Sequence, residues 1–390
     1  MAKVAIDIRL IGNNRTGDET VFFELVKKLL SEHKEHSYVL LTDKTAAELV
    51  TVRERLGLEG VRGEVELVNF GPRNRFWWNA ITLPFFFLGR HDIEVFHTQY
   101  ILPFWIPKRV AVVAHIHDIS FARYPQYIGK KDLFFLNLFI PRTMKRAHLI
   151  TPSEFTKREI QNVYQVPAED ITVVPNALGS VFKKSQEGNM DDARTIQTKY
   201  GLPEKYLLYV GTLQPRKNIP YLLKIFAELK KKGQYFLDTQ LVLVGNRGAH
   251  HFDTGIDSAI KELGLEDQII FPGYVDSDDL PLIYQHAVSF IFPSKYEGFG
   301  IPILEALASN IPTFASDIAV HREIGGEQLE YFPLDDVAEA AKILYTISVT
   351  QSAQQTSNAL SQKTKNVYSW GKSADILAHL YQDVKNKSIV

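Results

Sequence analysis

Short runs of β-branched and aromatic residues alternate with stretches whose apolar positions recur at helical spacing, almost from end to end of the chain. Residues 4–8 read as a strand; residues 21–30 then place Phe22, Leu25, Val26, Leu29 and Leu30 on one helical face. Further runs of strand character lie at 38–41, 65–70, 93–96, 110–114, 148–150 and 171–174. Their near-continuous apolar content predicts parallel strands covered on both faces. Alternation with helices predicts a doubly wound sheet. Residues 178–200 are polar and loosely patterned, which marks a boundary, and the rhythm restarts at 206–210, 241–244, 269–271, 288–292, 313–315 and 329–332. Two Rossmann-like α/β halves of comparable size follow. Residues 351–365 are polar and short of apolar anchors, whereas Trp370, Ile376, Leu377, Leu380 and Tyr381 restore an apolar stripe.

Composition narrows the function classes. The 390 residues are 45% apolar and 23% charged, enough for a sizeable core. At roughly 150 residues per domain the length suggests two to three domains. Lys plus Arg number 44 and Asp plus Glu 45, so the net charge of −1 argues against binding nucleic acid through a basic excess. With no cysteine, disulfides, iron–sulfur clusters, thiolate zinc sites and cysteine nucleophiles are excluded. The first seven residues reach Asp7 after a few apolar positions, unlike a secretory signal. The longest apolar stretch, 76–88, contains Asn79, Thr82 and Pro84 and is shorter than the roughly 20 residues a membrane helix needs. A cytoplasmic protein, free or lying on a membrane surface, is expected.

Two segments carry candidate chemistry. The predicted strand 206–210 runs into Gly211, then Arg216, Lys217 and Asn218, ahead of a helix with Ile219, Leu222, Leu223, Phe226 and Leu229 on its apolar face. A strand–glycine–helix turn leaves helix amides unpaired in the crevice at the strand ends. Two cations there suit a diphosphate, although cations can also simply decorate a helix start. No P-loop pattern is present, and no Gly-x-Gly-x-x-Gly follows a predicted strand. The second segment follows strand 288–292. Glu297, Gly298, Phe299 and Gly300 form a loop, Pro302 suits a first helical turn, and Glu305 comes one turn in. Carboxylates are good acceptors for sugar and ribose hydroxyls, and glycines admit close backbone approach.

Glu297 and Glu305, with seven residues between them and the run 298–302 inside, resemble the signature of retaining GT-B glycosyltransferases of family 4. Residues 211–218 look like that family's phosphate loop, 271–280 like its base-side strand and turn, and 116–118 like its strand-tip histidine. Residues 150–155 and 174–176 resemble the end of its first domain, and 369–370 with the following helix its returning terminal helix. The resemblance implies two Rossmann-like domains facing across a cleft: an acceptor domain at 1–178, a donor domain at 179–369, and a helix at 370–390 returning to the first. It implies that Arg216 and Lys217 hold the donor diphosphate beside Gly211, that Glu305 binds ribose hydroxyls, and that Glu297 contacts the donor sugar near Gly298, Phe299 and Gly300. Val275 would face the base and His117 would lie near the reacting centre, with catalytic parts for His117, Glu297, Arg216 and Lys217. No metal is implied, and no cofactor beyond the nucleotide-sugar donor, GDP-mannose first and a UDP-sugar such as UDP-glucose next. The implied acceptor is a glycan or lipid-linked glycan in surface polysaccharide synthesis. One departure stands out: the loop ahead of the first helix carries Arg15 and Gly17, where the latter matches a donor-binding glycine, but Asp18 and Glu19 bring negative charge. They would face the acceptor or turn away as helix-start residues.

Rival readings are a GT-B sugar phosphorylase, a nucleotide-sugar epimerase, a metallohydrolase built on His115 and His117, and a non-enzymatic two-domain sugar-binding protein. His148, His250, His251 and His321 are the other histidines weighed for a metal site, and none lies in a comparable strand-end setting. The aromatic run 76–87 reads either as core and cleft wall or as an interfacial face, with Arg73, Arg75 and Arg90 near headgroups and Lys130, Lys131, Arg142, Lys145 and Arg146 extending the rim.

Overall fold

A computed structural model describes residues 1–12, 17–58, 65–184, 190–248, 252–354 and 362–388. Arg15 of the first loop, His250, His251 and part of the polar boundary stretch lie outside these residues. The chain divides into two units. The first comprises Met1–Ile119, Lys130–Ala177 and Val367–Val390; the second comprises Ser120–Gly129 and Leu178–Asn366.

The first unit holds β1 (Lys3–Asp7), β2 (Ser37–Thr42), β3 (Val65–Asn69), β4 (Val95–Gln99), β5 (Ala111–His115), β6 (His148–Thr151) and β7 (Ile171–Val173). They form one sheet in the order β3-β2-β1-β4-β5-β6-β7, with each neighbouring pair parallel. The second unit holds β8 (Tyr206–Val210), β9 (Gln240–Val244), β10 (Ile269–Ile270), β11 (Ser289–Phe292), β12 (Thr313–Ser316) and β13 (Glu330–Phe332). Their order is β10-β9-β8-β11-β12-β13, again all parallel. Every residue of β5, β8 and β11 is buried, which is why these strands read as unbroken apolar runs. The strand order reverses between β1 and β4 and between β8 and β11. At such a point the flanking connections run to opposite faces and open a crevice at the carboxyl ends.

The terminal helix Trp370–Ser388 packs within the first unit. Tyr381 is fully buried there and its hydroxyl lies 2.7 Å from His97 Nδ1, while Ser373 Oγ donates to the Pro175 carbonyl at 2.6 Å.

The aromatic run is partly core and partly exposed. Residues 75–89 are helical, with a wider turn at Trp78–Thr82. Trp78, Leu83 and Phe87 enter the core, and Trp78 Nε1 donates to Asp7 Oδ2 at 2.9 Å. Phe76, Trp77, Ile81, Phe85 and Leu88 are exposed. Arg90 is not a free headgroup ligand: it forks onto both Glu66 oxygens at 2.8 Å and also engages Asp92.

Tyr381→Phe removes the partner of a fully buried imidazole. We expect a loss of about 1–3 kcal/mol in unfolding free energy by chemical denaturation.

Candidate functional site

The second unit brings two loops together at its reversal point. After β8 the chain turns at Gly211, where φ is 154°. A Cβ there would stand 2.7 Å from the Tyr209 hydroxyl, which donates to the Thr212 carbonyl at 2.9 Å. Gly245, just past β9, is required for the same fit, since a Cβ would come 2.3 Å from the Gly211 carbonyl oxygen. A single 3-10 turn, Pro215–Lys217, then leads to Asn218, which takes a left-handed conformation (φ 60°) as the residue capping the helix Ile219–Lys231. Asparagine tolerates that conformation better than most residues. Pro220 suits the first turn because it has no amide to leave unpaired.

The second loop leaves the adjacent β11 and delivers Glu297, which is 6% exposed. Its Oε1 accepts from Ser294 Oγ at 2.6 Å and from Lys217 Nζ at 2.5 Å. Its Oε2 accepts from Arg216 Nη1 at 3.0 Å. Arg216 Nη1 also donates to the Tyr296 carbonyl at 3.1 Å, and the Arg216 carbonyl accepts from Lys295 N at 2.9 Å. Burial by itself would raise the Glu297 pKa; Lys217 and Arg216 outweigh it and hold the group at about 2. The carboxylate is therefore ionised at neutral pH, and two cations against one anion leave the cluster with a formal charge of +1. Arg216, Lys217 and Glu297 thus meet in one cluster.

A hydrogen-bonded chain backs this cluster. Ser316 Oγ, at the end of β12, donates to the Ser294 carbonyl at 2.6 Å. His321 Nδ1 lies 2.9 Å from the Ser316 carbonyl, an acceptor, which assigns the proton to Nδ1. Burial pushes the fully enclosed His321 down to about 4, so the ring is neutral. Its edge lies against Gly300, where a Cβ would stand 3.8 Å from Cδ2. Gly300 has φ of 114° and precedes the helix Ile301–Ala308. Phe299 is buried in the same loop.

Glu305 lies in that helix and is half-buried. Tyr284 donates to its Oε2 at 2.9 Å. Desolvation raises its pKa to about 7, with the tyrosine bond only partly opposing the shift. Val275 is buried and follows the exposed Tyr274; its neighbour Asp276 is held by Lys199 Nζ at 3.0 Å.

In the first unit, His117 lies just past β5, 5% exposed, with Nε2 3.0 Å from Gln99 Oε1 at the end of β4. The His115 and His117 rings stack, with centroids 4.0 Å apart and planes 26° apart. Stacked rings do not converge their nitrogens on one ion, and among the described residues no group of three or more His, Asp or Glu is placed to hold a metal. Gly17 opens the helix Gly17–Glu32, and among the described residues nothing beyond its chain neighbours lies within 4 Å of where a Cβ would stand. Glu19 turns inward: it is fully buried and its Oε1 accepts from Gly12 N at 3.0 Å and Arg55 Nη1 at 3.1 Å. Its charge is neutralised inside the unit, whereas Asp18 stays exposed.

The family described as glycosyl transferases group 1 matches residues 192–346, and glycosyltransferase family 4 matches residues 15–178. The chain belongs to these glycosyltransferases. Two relatives are the O-antigen chain mannosyltransferase B of Escherichia coli, 32% identical over 63% of this chain and 63% of its own length, and the O-antigen chain mannosyltransferase RfbU of Salmonella typhimurium, 31% identical over 57% of this chain and 56% of its own. The matched region thus spans under two thirds of either relative. A crystal structure of Anabaena HepE in complex with UDP and glucose superposes with a TM-score of 0.65, at 16% identity, over 99% of this chain and 98% of that one. The fold is that of the GT-B glycosyltransferases.

In this member of the family, several residues that shape the site do not stand out in the sequence. Ser294, Ser316 and His321 are read from no motif, because their roles depend on β11 and β12 lying side by side. Tyr284 comes from the preceding helix Leu280–Gln285 and reaches Glu305 only after folding. Gly245 alone left a signal, a glycine at a strand end.

Two outcomes follow from the electrostatics. Glu297→Gln leaves two cations facing each other without an anion, and should lower unfolding free energy by about 3–5 kcal/mol in denaturant titrations. Glu305 behaves in the opposite sense. A carboxyl whose folded pKa is raised stabilises the fold least when ionised, so its contribution is lost as pH rises from about 4.5 to about 7. The Tm of Glu305→Gln should therefore gain on wild type between pH 5 and pH 8; a constant difference would contradict the raised pKa.

Proposed function

We propose that the protein is a retaining hexosyltransferase that moves mannose from a nucleotide diphosphate donor to a glycan or lipid-linked glycan acceptor in surface polysaccharide synthesis. The observation that carries this is the Arg216–Glu297–Lys217 cluster beside two helix starts. Departure of a nucleoside diphosphate builds negative charge on phosphate oxygens. Cations and helix amides already fixed in place stabilise that charge without reorganising. Glu297 acts as the internal counter-ion that holds both cations in position before the donor arrives, and in this reading it contacts the donor-sugar hydroxyls together with the amides of Gly298, Phe299 and Gly300. Glu305 accepts from the ribose, Val275 faces the base, and Gly211 admits the phosphates. His117 serves the reacting centre, and Gly17 contacts the donor. This assignment routes no step through a metal.

Mannose is favoured because both relatives above are named mannosyltransferases, which points to GDP-mannose as donor. A UDP-hexose is the second reading, suggested by the UDP and glucose in the HepE complex. The reading also places the protein at the cytoplasmic face of a membrane, in peripheral contact with it.

A thermal-shift screen of GDP-, UDP- and ADP-sugars tests the donor, since a ligand of the native state raises Tm by mass action. GDP-mannose should give the largest shift, and NMR of the product should show retained anomeric configuration. Arg216→Ala and Lys217→Ala should each lower kcat by about 10²–10³, as expected for lost transition-state stabilisation. Glu305→Ala should chiefly raise KM for the donor. Turnover like wild type in all three variants would overturn the site.

A further inference from the structure

Two helical segments of the first unit expose apolar residues along one side. On the segment 75–89 these are Trp77, Ile81, Phe85 and Leu88, at intervals of four, four and three residues. On the helix Lys130–Arg146 they are Phe134, Phe135 and Leu138, while Ile140, Thr143 and Met144 on the other side are buried. Phe85 is 68% exposed and Phe134 65%. Ring contacts join the two stripes. Phe76 meets Phe104 with centroids 5.7 Å apart, Phe104 stacks on Phe139 at 5.1 Å, and Phe139 stacks on Phe135 at 6.2 Å. The exposed Trp105 lies beside Phe104 in the chain. Single exposed apolar residues are ordinary, but a joined face of this size marks an interaction surface.

The charges around it indicate the partner. Lys130 and Lys131 precede the apolar residues of the helix Lys130–Arg146, and Arg142, Lys145 and Arg146 follow them; all five are exposed, with Arg142 Nη1 also donating to the Pro103 carbonyl at 2.8 Å and Arg146 Nη2 to the Val110 carbonyl at 2.9 Å. Lys131, Phe135, Leu138, Arg142 and Lys145 recur at helical spacing, so cations bracket the apolar centre on one face. Asp132 is the only acid in this helix. Arg73 and Arg75 are exposed beside Phe76. A twofold contact with a second copy would bring like charges together. An anionic bilayer meets both requirements: headgroup phosphates for the cations and an acyl boundary for the aromatic and leucine side chains. No helix among the described residues is long and apolar enough to cross a membrane.

We propose that this aromatic face seats the first unit on the surface of an anionic bilayer, with Phe134, Phe135 and Leu138 entering the interface and the flanking lysines and arginines meeting the phosphates. The proposal deepens the reading of a lipid-linked acceptor and rests on it only for that acceptor.

The test is flotation of the full chain with vesicles of phosphatidylethanolamine and phosphatidylglycerol, and with vesicles of phosphatidylcholine alone. Wild type should float with the anionic vesicles at least tenfold more than with the neutral ones, and 0.5 M NaCl should reduce that binding. The triple variant Phe134→Ser, Phe135→Ser, Leu138→Ser should lose at least tenfold of it while keeping the wild-type Tm and the GDP-mannose thermal shift. Absence of wild-type binding, equal binding by the triple variant, or a lipid-free assembly that the variant dissolves with no wild-type flotation would each overturn the proposal. Flotation with no nucleotide-sugar binding or turnover would overturn the transferase reading and leave the bilayer surface standing.

Discussion

The second unit is organised around one buried carboxylate. Glu297 is enclosed, ionised and shared between Lys217 and Arg216. A buried charge is tolerated only when paired and fully hydrogen-bonded. Meeting that condition requires β8 and β11 to lie side by side, because the cations come from one loop and the anion from the other. It also requires Gly211 and Gly245 to let backbones approach, and Ser316 to hold the Ser294 carbonyl while Ser294 Oγ reaches Glu297. The two cations would otherwise repel each other and swing into water. With Glu297 between them, their positions are set by the fold rather than by a ligand.

The two glutamates of the signature occupy opposite environments. Glu297 is held at about 2 by its cations, whereas Glu305, whose side chain among the described residues meets Tyr284 alone, rises to about 7. One is a fixed anion and the other a group that changes state near neutrality. Their separation of eight residues suggests a matched pair, yet the structure gives them opposite charge behaviour near neutrality. A carboxyl that ionises near pH 7 carries its charge at a desolvation cost that any hydroxyl donor reaching it would offset.

Much of this was legible from the residues. Unbroken apolar runs become the buried parallel strands, since a strand covered on both faces has no solvent side to mark with polar residues. Arg216, Lys217, Glu297 and Glu305 were visible as chemistry out of place at strand ends. Their pairing is not: the resemblance implies a sugar contact for Glu297 and a diphosphate for the cations, and the contacts among all three appear only in space. Of the two outcomes open to Glu19, facing an acceptor or turning away at the helix start, the structure has it turned inward to Gly12 and Arg55. The exposure of Phe134 and Phe135 is not legible in the sequence because their helix also carries a buried stripe, and an apolar residue alone does not declare which side it faces.

The path of the chain sets the order in which the protein can be assembled. The first unit is built from three separate stretches, the last of which begins at Val367. Its core includes Tyr381, fully buried and hydrogen-bonded to His97 on β4. A polypeptide leaving the ribosome would therefore have the strands of this sheet, within residues 3–173, available yet lack part of their cover until residues 370–388 have been made. The second unit, whose strands all lie between residues 206 and 332, has its whole sheet in hand well before then. The unit whose strands come first is thus completed only after the other unit's sheet, and a nascent chain would carry an uncovered patch of β4 and β5 until the helix Trp370–Ser388 emerges.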